Sequence, residues 1–239
     1  MSVPYAHLVD KALSVFRLQQ KMSDLSSRLS QRDTSFIRPF ITIAREPGSG
    51  GRPIARAVAE RLGFACLDEQ IIDEIARSTK RRKAIVQAID EKTRSKIEDI
   101  VHSVLNEEYL DDLKYITEMT KVILSYALKG KVVIVGRGAN FITPFAKGLH
   151  VNITAPYELR VQRAMQFEGV SREKAKEVIA DTERERKEFV KQYLLQDANK
   201  VNSYDLTLNT QFFRIDEATD IITSAFNQKF SFMNRYKTI

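Results

Sequence analysis

The chain has 239 residues, 43% of them hydrophobic and 29% charged, a composition that fits an ordered globular domain with a sizeable core and excludes a disordered chain. Its formal net charge of +7 and pI near 9.4 suit anionic partners such as nucleotides or nucleic acid, although solvated Lys/Arg faces give the same number. A single cysteine, Cys66, excludes an internal disulfide; no apolar run reaches membrane-spanning length, and His7, His102 and His150 are too scattered for a zinc site.

Residues 1–36 carry Leu8, Ala12, Val15, Phe16, Leu18, Met22, Leu25 and Leu29 at loose helical spacing. This predicts an amphipathic arm that packs on the rest of the chain or on a second subunit, as in a homo-oligomer, in preference to a membrane surface. Asp10, Lys11 and Arg17 interrupt any signal-peptide core, so a cytoplasmic protein is expected.

From residue 40 strands alternate with helices. Phe40–Ala44 reads as a short buried strand, and Ile54, Ala55, Val58, Ala59 and Leu62 mark one face of a helix that Gly63 stops. Phe64–Leu67 is a second strand, and Asp68 stands at the start of a helix bearing Ile71, Ile72, Ile75 and Ala76. Residues 80–129 contain neither Pro nor Gly and read as helix in two or three segments, closed by Gly130. Val132–Val135 and Leu149–Ile153 are the third and fourth strands; a helix from Pro156 through Phe167 is broken by Gly169. Ser171 caps a charged helix running to about Leu195, Leu206–Leu208 is a fifth strand, and Ile215–Phe226 is a closing helix. This alternation predicts a parallel sheet covered on both faces, with ligands collecting at the carboxyl ends of the strands. The loops at 45–52, 68 and 136–138 all fall at that edge.

The loop Arg45-Glu-Pro-Gly-Ser-Gly-Gly-Arg52 has the strand–glycine turn–helix context in which backbone N–H groups cradle phosphates. Its chemistry departs from the usual rule. With Gly50 as the last glycine of G-x-x-x-x-G-K-[ST], Arg45 takes the first glycine, Gly51 the lysine and Arg52 the Mg²⁺-binding hydroxyl. Gly48, Ser49, Gly50, Gly51 and Arg52 are thus the candidate phosphate-binding residues, with Arg45 and Arg52 neutralising charge in place of the lysine. An arginine cannot bind Mg²⁺, so a metal would lean on Ser49, Glu46, water or the nucleotide itself; Glu46 equally suits a plain salt bridge. Arg137, after Gly136 at a strand end, is placed either to fork onto a phosphate or to pair with a carboxylate. Asp68 suits a base or sugar, or a helix N-cap. The cations of 157–200 interleave with glutamates as helix-surface pairs, leaving one or two arginines to close over a substrate. Lys80-Arg-Arg-Lys83 reads as a solvated helix start, and no nucleic-acid-binding motif accompanies the net charge.

Five segments, in order, resemble the cytidylate kinase-like family of P-loop nucleotide kinases: Ile41–Arg52, Phe64–Ile72, Val132–Ile142, Asp181-x-x-Arg184 and Tyr204–Thr210. The resemblance covers about residues 38–228. It implies a three-layer P-loop kinase-like α/β fold with a five-stranded parallel core, here residues 37–230, a helical substrate-binding insert at 68–130 and a helical lid at 157–200. By the same resemblance Gly48–Arg52 would hold the phosphates of ATP with its Mg²⁺, and Asp68 and Arg137 would face a nucleoside monophosphate, CMP or dCMP first. Arg184 would act from the lid. The family's Lys-Ser pair is here Gly51-Arg52, and an Asp that commonly follows the Gly-Arg pair is Gly138. These departures leave two expectations open: a phosphotransferase, or a non-catalytic nucleotide-binding or regulatory module.

Overall fold

A computed structural model describes residues 38–78, 97, 101 and 110–235. The predicted N-terminal arm, the basic cluster Lys80–Lys83 and most of the helical stretch before residue 110 lie outside the described residues.

Five strands form one wholly parallel sheet in the order β2-β3-β1-β4-β5: β1 Phe40–Arg45, β2 Ala65–Leu67, β3 Val132–Val135, β4 Gly148–Thr154 and β5 Leu206–Asn209. β1 is central, with Ile41 in register with Val133 on one side and Leu149 on the other. The chain first builds β2 and β3 on one flank and then β4 and β5 on the other. The switch in direction therefore falls at β1 and opens a crevice at the strands' carboxyl ends.

Strand periodicity sends alternate residues to opposite faces. Phe40, Val132 and Ile134 join one core with Leu67, Ile72, Met119 and Ile123, which brings in helices α2 (Glu69–Arg77) and α3 (Leu110–Lys129). Ile41, Ile43, Val133 and Val135 join the other with Ile54, Val58, Ile222 and Phe226, from α1 (Gly51–Leu62) and α7 (Ile215–Arg235). Because both faces are buried, β3 is a continuous apolar run and β1 is interrupted only by Thr42 before Arg45, which is why these central strands were readable. A four-residue helix, α4 (Ala139–Ile142), follows β3.

Between β4 and β5 stand α5 (Tyr157–Glu168) and α6 (Arg172–Leu194). They share a small core of Val161, Ala164, Ala175 and Ile179, separate from the two sheet cores. Gly169 ends α5, and the Ser171 hydroxyl accepts from the Lys174 amide at 3.2 Å to start α6. Among the described residues no helix is long and apolar enough to cross a membrane.

Candidate active site

The turn between β1 and α1 owes its shape to two glycines in the left-handed region, Gly48 (φ 77°) and Gly50 (φ 80°). A side chain at Gly48 would also meet a wall, since a Cβ would sit 2.6 Å from the Arg160 carbonyl oxygen. Inside the turn, the Glu46 carbonyl accepts from both the Ser49 amide (3.2 Å) and the Ser49 hydroxyl (2.8 Å). Behind it, Thr210 at the end of β5 donates its hydroxyl to the Ser49 carbonyl at 2.8 Å, and Arg163 bonds both the Thr210 hydroxyl (2.9 Å) and carbonyl (3.0 Å). The Glu46 and Ser49 carbonyls are thus consumed. The first-turn amides of α1 have no partner within their own helix, and Gly50 supplies no capping side chain. What the turn offers a ligand is donors, with the positive end of a helix dipole behind them.

Beside the turn, three guanidiniums converge on one carboxylate oxygen. Arg45 lies 2.7 Å, Arg52 3.2 Å and Arg186 3.7 Å from Glu69 Oε1. Arg45 is held by its surroundings: a Cβ at Gly51 would lie 2.5 Å from its Cβ, and one at Gly136 would collide with its Nη1. Burial alone would raise the Glu69 carboxyl, but Arg45, then Arg186 and Arg137, hold it below the ordinary glutamate value. Arg186 is pushed down to about 10 by burial and by the like charge of Arg45. It remains a cation at neutral pH, donating to the Arg45 carbonyl at 3.1 Å.

The crevice holds a cavity of about 790 Å³, lined by Arg45, Glu69, Asp73, Arg137, Arg186, Phe189 and Tyr204 among others. Arg137, itself in a left-handed conformation (φ 52°), extends its guanidinium 5.8 Å from the centre of the Phe189 ring and bonds Asp73 Oδ2. Asp73 Oδ1 accepts from the Tyr115 hydroxyl at 2.6 Å. Burial and that bond push the phenol's pKa up, keeping Tyr115 a donor. Asp73 therefore fixes Arg137 from one side and is fixed by Tyr115 from the other.

Of the residues singled out in the sequence, Arg45 and Arg137 line this crevice, and Arg52 touches it only through Glu69. Asp68 does not line it. Asp68 is the N-cap of α2, accepting from the Ile71 amide at 3.1 Å and pairing with Arg56 at 3.4 Å, while the next residue, Glu69, faces the cavity. Arg184 stands on the outer side of α6, 63% exposed and paired with Asp181 at 2.7 Å. Arg186 reaches inside instead. Two residues along a helix turn the direction by about 200°, so these arginines occupy opposite faces. The carboxylates Glu69 and Asp73 were not anticipated; their place on the first turns of a helix that starts at a strand end was the signal available.

Protein-held Mg²⁺ does not fit these residues. The Ser49 hydroxyl is fully buried and donates to Glu46. The Glu46 carboxylate accepts from the Ala155 amide at 3.1 Å and faces Arg160 Nε at 3.4 Å. No group of three His, Cys, Asp or Glu side chains suited to a metal occurs among the described residues. The aspartate expected after Gly136-Arg137 also has no room. A Cβ at Gly138, whose φ is 64°, would collide with Leu194 Cδ1.

The profile of the cytidylate kinase-like family matches residues 40–211. The cytidylate kinase of Methanopyrus kandleri is 26% identical over 198 residues, which cover 79% of this chain and 93% of that enzyme. A stretch of 117 residues, 49% of this chain, is 27% identical to part of a Corynebacterium glutamicum uronate isomerase, and the chain spans 23% of the length of that protein. Among solved structures, an uncharacterized protein from Eubacterium ventriosum superposes with a TM-score of 0.61 at 22% identity, over 80% of this chain and 99% of the other. That likeness concerns the fold.

Proposed function

The chain belongs to the cytidylate kinase-like family, and on that premise we propose that it transfers the terminal phosphoryl group of ATP to a nucleoside monophosphate, with CMP or dCMP as the leading acceptor. The observation that carries this reading is the pairing of a donor-only turn at Gly48–Arg52 with an arginine-lined cavity of about 790 Å³ beside it.

In this mechanism the amides of the Gly48–Arg52 turn other than that of Ser49, which stays bonded to the Glu46 carbonyl, hold the donor phosphates, and Arg45 and Arg52 neutralise charge building on the transferred group. Arg137, oriented by Asp73, binds the acceptor phosphate; the cavity's aromatic side chains Phe189 and Tyr204 flank the rest of the acceptor. The insert at 68–130 and the lid at 157–200 close over both ligands and exclude water, which would otherwise hydrolyse the donor. Arg186 is the lid cation already in place, and Arg184 joins only if closure turns its face inward. Family membership implies Mg²⁺ as well as nucleotide, and the oxygens beside the turn, already bonded to protein, do not fit the metal. A cytoplasmic location, where ATP is supplied and the lone Cys66 stays reduced, and an oligomer built through the arm at 1–36 complete the proposal.

The test is a coupled kinase assay with ATP and each nucleoside monophosphate. Turnover that depends on CMP or dCMP supports the proposal. ATP binding with no turnover on any monophosphate rejects it in favour of a non-catalytic nucleotide-binding module.

A further inference from the structure

The convergence on Glu69 has a charge balance that the proposed reaction does not itself require. Arg45, Arg52 and Arg186 meet a single carboxylate, which leaves an excess of two positive charges, the charge of one divalent cation. The cluster abuts the phosphate turn, since Arg45 packs on Gly51 and Arg52 belongs to the first turn of α1. The neighbouring ions are taken up with one another, Arg137 with Asp73 and Arg160 with Glu183 and Glu46, and together carry one negative charge, so the excess of two is local to the arginines around Glu69. In the same place the oxygens that would bind a metal are spent on Glu46, Ala155 and Arg160. Guanidiniums bond phosphate oxygens through directed N–H groups and need no dehydration of a small hard ion.

We infer that this chain binds its nucleotide as the metal-free polyanion, with the three-arginine cluster taking the place of the divalent cation and Glu69 as the internal anion that the phosphates displace. The inference rests on the reading of the 48–52 turn as the donor-phosphate site. Glu69 is the first residue of α2. It is thus a short-range placeholder that keeps three like charges together until a phosphate arrives.

Calorimetric titration of the full chain with ATP, once in EDTA and once in excess Mg²⁺, tests this. Excess Mg²⁺ draws free ATP into its own complex, so the apparent dissociation constant should be weaker in Mg²⁺ than in EDTA; tightening by Mg²⁺ overturns the inference. Arg186→Gln should create the missing dependence, weakening ATP about tenfold in EDTA and less in Mg²⁺. Equal weakening in both buffers counts against it. Glu69→Gln removes the competing anion while keeping the side-chain shape, and should tighten metal-free ATP roughly threefold or more; a purely structural Glu69 would leave affinity unchanged or lower, which also overturns the inference. Mg²⁺-dependent binding defeats this inference alone, whereas absence of ATP binding in both buffers defeats the proposed function too.

Discussion

Arg45 enters the crevice from the last position of β1, 6% exposed and clamped between two glycines and Glu69. A cation so fixed costs no reorganisation when charge develops on a transferred phosphoryl group. Arg45→Ala should therefore lower kcat at least about tenfold, roughly 1.4 kcal/mol, with a smaller change in the KM for ATP. Steady-state kinetics checks this, and an unchanged kcat would remove Arg45 from the mechanism. Arg137→Ala should act on the other substrate, raising the KM of the monophosphate about tenfold while ATP binding holds. The place of both arginines at the crevice was legible because each sits at a strand end leading into a glycine-containing turn. Arg186 was not: Glu183-Arg-Glu-Arg-Lys187 alternates charge along a helix, and no apolar stripe there says which arginine faces in. Gly138 illustrates the opposite case, a departure from the family pattern that the sequence showed but could not explain. The side chain missing there would occupy the space of Leu194 at a positive φ, so Gly138→Asp should destabilise the fold by about 1–3 kcal/mol in urea titration rather than restore a site.

At the scale of elements, the strands and caps were readable because their causes are local. Val132–Val135 is wholly apolar, Ser171 caps α6 with its own hydroxyl, and Gly63 and Gly169 end helices in the left-handed conformation. The four-residue α4 was missed, since so short a helix has no period to detect. The same local logic frames the α5–α6 hairpin as a mechanical unit. Its core of Val161, Ala164, Ala175 and Ile179 is its own. Polar contacts tie most of it to the body, Arg160 to Glu46, Arg163 to Ser49 and Thr210, and Arg186 to Arg45 and Glu69, while the end of α6 is anchored by Leu194, buried in a sheet core with Phe189 and Tyr193 packed against it. Polar contacts at a ligand site re-form around a ligand more readily than packed cores rearrange, so the hairpin should swing about the packed end of α6. Hydrogen exchange should show amides of 172–194 protected by ATP plus the acceptor monophosphate beyond ATP alone. Equal protection by ATP alone would mean that the acceptor plays no part in closure.

Among the described residues, buried charged groups and the buried histidine fall in separate parts of the molecule, apart from scattered buried hydroxyls such as Thr120 and Ser125. The carboxyl end of the sheet carries the arginines; the opposite flank, between β4, β5 and α7, carries a second assembly with no place in the proposed reaction. There His150 is fully buried, its Nδ1 2.6 Å from the Thr42 hydroxyl and its ring 5.0 Å from that of Phe145. Its backbone amide donates to Asp205, whose carboxylate is held by Lys229 at 2.7 Å. Burial, helped by Lys229 and opposed by Asp205 and the Pro144 carbonyl, lowers the imidazole from 6.5 to about 4. The folded state then binds a proton less readily than the unfolded chain, so protonation favours unfolding. The stabilising contribution is complete above pH 6.5 and is lost as the pH falls towards 4. Between pH 6.5 and 5 one such group accounts for roughly 2 kcal/mol, before the carboxylates begin to titrate. Urea denaturation across that interval should show this loss in the native sequence. His150→Gln, which cannot take up the proton, should be less stable at neutral pH and nearly flat over the same range. Parallel pH profiles for the two proteins would place the acid sensitivity elsewhere than at His150.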